Sequence, residues 1–308
     1  MIQPELSLLE FKKRFVSERA CQKALEKMRW PEGFICPKCM HDKAFRITTR
    51  HLLQCAKCDF QVSLTSGTIF HKTRTPLLKW FWAIYLAGQD KGGVSAMRLS
   101  KQLELGYKTA WLMLHKIRKA MAQRDSGYTL SGFIEMDDAF FGGTAKGRRG
   151  RGAANKTPVL VMVESKGEHA GFISMQTIES MEKQKVEMLV KKHIAPAQQI
   201  RTDGFKSFAG LTEMGYRHDG NPVPAKKASE DLPWVHTAIS NAKRFLLGTY
   251  HGVSHKHLQR YLDEFCYRFN RRTWEKQITL RLLTACIFAN PITYAELILL
   301  GYIMLFVL

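Results

Sequence analysis

Two Cys-x-x-Cys pairs, Cys36-Pro-Lys-Cys39 and Cys55-Ala-Lys-Cys58, lie 15 residues apart near the start of the chain. That spacing limits the fold more than any other feature. Each pair forms a knuckle, and four thiolates close a tetrahedron around a zinc ion. Short alternating runs at Ala44–Ile47, His51–Cys55 and from Phe60 onward predict small strands, so the module reads as a zinc ribbon. A ribbon this size buries too little apolar surface to fold unaided. Metal binding, of order ~10–16 kcal/mol, makes up the difference. Lys38, Lys43, Arg46, Arg50 and Lys57 leave the module basic, which suits DNA contact; a purely structural staple is the other reading. Cys21, Cys266 and Cys286 stand singly in apolar patterns and read as core thiols.

The charge balance extends that basic character to the whole chain. Its 308 residues carry 47 Lys+Arg against 27 Asp+Glu, a net +20 with a pI near 9.7. A surplus of this size points to a polyanion, and nucleic acid before a membrane surface. The uncharged run Leu297–Leu308 is too short for a spanning helix, which needs about 20 residues. A charged helical pattern follows the N-terminus where a secretory signal would be apolar, so a reduced, cytoplasmic, nucleoid-associated setting is expected.

Residues 75–125 suggest a helix-turn-helix segment. Pro76 opens an apolar helix through Ala87, Ser95 is placed to cap a helix to Leu103, and Gly106 marks a turn. The next helix puts Ala110, Leu114, Ile117 and Met121 on one side. Lys108, His115, Lys116 and Lys119 gather on the other. Lys108 and Lys116 are therefore expected on DNA phosphates, with a merely solvated basic face as the alternative.

Two adjacent carboxylates interrupt an otherwise apolar strand at Phe133-Ile-Glu-Met-Asp-Asp-Ala-Phe-Phe141. Alternation places Glu135 and Asp137 on one face and Asp138 on the other. Arg148, Arg149, Arg151 and Lys156 crowd the following loop, and the three arginines are further candidates for DNA contact. Strand patterns recur at 157–164, 170–177, 199–203 and 216–218, with helices near 181–193 and 207–214. The order β-β-β-α-β-α-β-α is that of an RNase H-like α/β fold, a mixed sheet with flanking helices. It sets Asp137 on the first strand beside Asp203 at the end of the fourth. Two hard carboxylates there suit Mg²⁺ and two-metal phosphodiester chemistry; for Asp203 a plain Asx-turn is the other reading.

Several stretches together make the chain resemble the DDE-type transposases of bacterial insertion sequences that carry an N-terminal zinc ribbon. They are Arg29–Cys39, Thr68–Pro76, Lys108–Lys116, Glu135–Asp137 with Phe141–Gly143, Thr202–Gly204, and Asn241 through Arg272. The resemblance implies Mg²⁺-dependent hydrolysis at element ends, attack of the freed 3′-hydroxyls on target DNA, and a homo-oligomeric synaptic complex. It also implies a third active-site residue on the helix after a His-Thr pair, followed by a lysine. His236-Thr237 is followed here by Asn241 and Lys243, which gives Asp137, Asp203, Asn241 and Lys243 as the catalytic set; counting back from Lys243 without a gap gives His236 instead. A catalytically inactive DNA-binding regulator is the alternative function. The expected organisation is a helix and ribbon over 1–74, the helix-turn-helix over 75–125, the catalytic domain over 128–274 and a helix with a hydrophobic tail over 275–308.

Overall fold

A computed structural model of the protein describes residues 6–142, 156–220 and 228–303. Along the chain run α1 (Leu8–Arg14), α2 (Glu18–Arg29), β1 (Ala44–Ile47), β2 (Leu52–Cys55) and β3 (Gln61–Ser63). Then come α3 (Leu77–Gln89), α4 (Ala96–Gln102), α5 (Tyr107–Asp125), β4 (Phe133–Phe141), β5 (Thr157–Ser165), β6 (Ala170–Thr177) and α6 (Lys183–His193). The remainder is β7 (Gln199–Thr202), β8 (Arg217–Gly220), α7 (Ala228–Asp231), α8 (Pro233–Tyr250), α9 (Leu258–Phe269), α10 (Ile278–Phe288) and α11 (Tyr294–Ile303). Among the described residues no helix is long and apolar enough to cross a membrane.

The chain forms two compact units. One comprises Met1–Arg124 together with Trp274–Leu300; the other contains Asp125–Thr273. In the first, β1, β2 and β3 make an antiparallel sheet in that order. Arg29, at the end of α2, donates to the carbonyls of Ser63 (3.3 Å) and Leu64 (2.8 Å) and so ties the ribbon to the helices. Glu18 accepts from the Leu77 and Leu78 amides, both at 2.9 Å, and satisfies the open N–H groups at the start of α3. Of the segment expected over 275–308, the part through Leu300 belongs to this unit. Helix α10 lies against α3 at Gly88, where a β-carbon would sit 3.0 Å from Thr279 Oγ1, too close for any side chain without displacement. Gln89 Nε2 donates to the same hydroxyl at 3.0 Å.

In the second unit the sheet order is β6-β5-β4-β7-β8. Strands β4, β5 and β6 pair antiparallel, whereas β7 runs parallel to both β4 and β8. This is the RNase H-like arrangement. Near-continuous apolar runs in β4 and β5 reflect burial on both faces. One face carries Val159, Val161 and Val163 against α8 and α9 residues such as Val235, Ala242, Leu262 and Phe265. The other carries Met136, Leu160 and Met162 against Val186 and Val190 of α6 and Phe208. The helix read over 207–214 is a 3-10 turn over Lys206–Leu211.

Candidate active site

Register decides where the carboxylates meet. Parallel pairing sets Phe133 opposite Gln199, Ile134 opposite Ile200 and Glu135 opposite Arg201. Extended two residues further, the same offset brings Asp137 level with Asp203, just past the end of β7. The two side chains line one cavity of about 470 Å³, together with Asp138, Lys156, His236 and Lys243. Asp137 Oδ1 accepts from the Asp138 amide at 2.7 Å. Asp203 Oδ1 accepts from the Phe205 amide at 3.0 Å, so the Asx-turn is present and orients the carboxylate. Gly204 follows at φ +76°, a conformation that glycine adopts without a β-carbon clash.

Helix α8 supplies the opposite wall, and a buried acid fixes its start. Glu135 is 2% exposed, and its Oε2 accepts from the Trp234 amide (2.7 Å) and the Val235 amide (3.0 Å). Pro233 occupies the first turn, where its missing N–H costs nothing. Burial raises the Glu135 carboxyl pKa, and the two helix amides oppose that rise. The sequence shows Glu135 on the Asp137 face but gives no sign of this capping role.

From that fixed start, His236, Ile239 and Lys243 turn toward the cavity. His236 Nδ1 lies 3.9 Å from Asp137 Oδ2, while its Nε2 is buried with no hydrogen-bond partner among the described residues. Burial lowers the imidazole pKa, with Asp203 pulling the other way. Burial also lowers the Lys243 pKa, helped by Lys156 and opposed by Asp137. Asn241, expected as the third position, is half-buried and is not among the residues lining the cavity. Two residues beyond Ile239 it points about 200° away around the helix, at 3.6 residues per turn.

The four ribbon cysteines converge as their spacing requires, with their sulfurs all within 4.8 Å of one another. Cys36 and Cys58 Sγ lie 3.7 Å apart, and Cys39 and Cys55 Sγ 3.5 Å. A tetrahedron with Zn–S bonds near 2.3 Å has edges of about 3.8 Å, so the cradle fits zinc. The two knuckles share one geometry. The Met40 amide donates to the Cys36 carbonyl (2.9 Å) and the Asp59 amide to the Cys55 carbonyl (3.1 Å). Met40 (φ 61°) and Asp59 (φ 53°) both adopt the left-handed conformation.

The predicted DNA contacts divide. Lys108 is exposed in the first turn of α5. Lys116 is not a surface lysine: it is 7% exposed, and its ammonium donates to the Ile69 carbonyl at 3.1 Å. His115 is fully buried, and Lys119 Nζ donates to the Pro291 carbonyl at 3.0 Å. The basic side of α5 is thus largely internal, which corrects the reading of Lys116 as a phosphate contact. Arg148, Arg149 and Arg151 lie outside the described residues.

Residues 129–270 match the family model of the ISXO2-like transposase domain, and residues 16–61 match that of the transposase zinc-ribbon domain. A protein of the transposable element ISH50 from Halobacterium salinarum is 28% identical over 221 residues, covering 65% of this chain and 72% of the relative. Among solved structures, the Mos1 strand transfer complex is similar at 12% identity and a TM-score of 0.29, over 70% of this chain and 78% of that one. The Mos1 mariner paired end complex with Mn is similar at 11% identity and a TM-score of 0.29, over 71% of this chain and 89% of that one. The chain thus carries a transposase zinc-ribbon domain followed by an ISXO2-like transposase domain.

Proposed function

We propose that the protein cuts the ends of its element and joins the freed 3′-hydroxyls to target DNA, with Asp137, Asp203, His236 and Lys243 around the reacting phosphate. The observation that carries this reading is the shared cavity, in which acids from two parallel neighbouring strands face one helix. Asp137 and Asp203 offer hard oxygen donors, so they would hold Mg²⁺. When bound, such ions activate the attacking oxygen and stabilise the leaving one. Lys156 and Lys243 bring positive charge to the phosphate. His236, whose pKa burial lowers, offers a ring nitrogen that accepts a proton or a hydrogen bond from the attacking hydroxyl. On this reading His236, rather than Asn241, takes the third position. On this reading, as the family resemblance implies, at least two copies of the chain bring two element ends together.

Incubating the protein with DNA of the element end, target DNA and Mg²⁺ tests the proposal. Wild type should give nicked ends and then joined products. Asp137→Asn or Asp203→Asn should lower the cleavage rate by about 10³-fold, equivalent to ~4 kcal/mol, with DNA affinity retained. Binding without cutting would make the protein a regulator, and cutting without joining would make it a nuclease.

A further inference from the structure

The sheet of the zinc ribbon buries one face and leaves the other bare. Leu53, Cys55 and Val62 are buried on the first, where Arg46 pairs with Glu26 of α2. Strand register sets Phe45 opposite Gln54 and Gln54 opposite Gln61, so these three form a row across the second face. Phe45 at one end of the row is 67% exposed. The two amides beside it are held by a chain of hydrogen bonds. Gln54 Nε2 donates to Asp59 Oδ1 at 2.9 Å, Gln61 Nε2 to Gln54 Oε1 at 3.0 Å, and Arg50 to Gln61 Oε1 at 3.3 Å. Asp59 only accepts and Arg50 only donates, so the two ends of the chain fix which way each amide points. Each glutamine uses one N–H and one carbonyl lone pair within it. One of each remains, in a fixed order, for a partner. Adenine answers that pair in the major groove with N7 and N6–H, and an apolar ring there suits the thymine methyl.

We propose that the bare face of the ribbon reads A·T base pairs in the major groove of DNA, with Gln54 and Gln61 on adenine and Phe45 on the thymine methyl. The inference rests on the transposase reading and adds to it the residues that choose the sequence. Charge around the row commits the occupant to DNA. Between Cys36 and Ser63 the ribbon carries Lys38, Lys43, Arg46, Arg50 and Lys57 against Asp42 and Asp59, and Asp59 is engaged by Gln54. Arg50, the last member of the chain, also lines a groove of about 590 Å³ with His51, Arg74 and several threonines. Glu18 is the one carboxylate among the described residues of that groove, and its two oxygens already accept the Leu77 and Leu78 amides. The groove therefore suits the phosphates that flank the bases being read. Strands enter the major groove in other DNA readers, so a sheet face is a workable reading head. Because the amides are already oriented, little side-chain freedom is lost when they meet a base.

The test selects bound duplexes from a randomised pool with full-length, zinc-loaded protein, using Ca²⁺ in place of Mg²⁺ so that binding is read without cleavage. Wild type should enrich A·T pairs at two or more neighbouring positions. Gln54→Ala and Gln61→Ala should each erase the adenine preference at one position, a fall in discrimination of about 5- to 150-fold. That loss should fall on the selected duplex, well above any loss for an unselected one. Deoxyuridine in place of the selected thymine removes only a methyl group. It should weaken wild-type binding about four-fold and leave Phe45→Ala unaffected. Zinc content and circular dichroism melting confirm that the variants are folded, and none of the three side chains is buried. The proposal is overturned if wild type enriches no A·T position or if both glutamine variants keep the wild-type preference. It is equally overturned if they weaken every duplex alike, since that marks a phosphate contact or a structural role. A matching response to deoxyuridine in wild type and Phe45→Ala would remove Phe45 from the reading row. A wild type that selects its sequence but cannot cut that duplex in Mg²⁺ would sink the transposase reading while the base preference stood.

Discussion

On α8, His236 and Lys243 stand seven residues apart, close to two turns, and share the wall that faces Asp137 and Asp203. Asn241 falls between them in sequence but on another side of the helix. The single-turnover cleavage rate therefore separates the two candidates. His236→Ala should lose about 10²-fold or more, the usual contribution of a group that moves a proton. Asn241→Ala should lose less than about ten-fold, under ~1.4 kcal/mol. The opposite ordering would return Asn241 to the third position. The sequence carried the two aspartates legibly, because a carboxylate inside an apolar strand and a Thr-Asp-Gly strand end both stand out. It left the third residue open because spacing along a helix admits two registers. The rotation of α8, whose start is held by Glu135 at the Trp234 and Val235 amides, turns His236 rather than Asn241 toward the cavity.

Most elements were readable one by one, since apolar periodicity and the Gly and Pro punctuation mark them locally, although the helix read over 207–214 proved a 3-10 turn over Lys206–Leu211. What each helix faces was not. In α5 every residue from Met113 to Arg118 is buried, so no face across that stretch is free. The cause lies far along the chain. The Asn290 amide donates to Gln123 Oε1 at 3.0 Å, and the rings of Trp111 and Tyr294 lie 6.2 Å apart, so residues beyond α10 cover α5. Lys116 extends its long stem through this packing to the Ile69 carbonyl, which a helical wheel cannot show. Lys108→Ala should accordingly weaken DNA binding and reduce the slope of log affinity against log salt by about one. Lys116→Met should leave that slope unchanged and alter the melting temperature instead. For α8, Glu135→Ala strands two helix amides and should lower stability by about 1–3 kcal/mol in urea unfolding.

At the scale of the whole molecule, zinc and connectivity govern the first unit. Cys36→Ser, or chelation, should remove the metal and open residues 36–58 to proteolysis while the Asp125–Thr273 unit keeps its own unfolding transition. Metal content per chain and the protease map check this directly. The first unit is also discontinuous, because Trp274–Leu300 completes what Met1–Arg124 begins. During synthesis the ribosome must therefore release the entire carboxylate-bearing unit before α10 can dock on α3 at Gly88 and Thr279. A nascent chain cannot finish its amino-terminal half early. Premature termination anywhere before Trp274 yields a polypeptide in which that half lacks its closing helix.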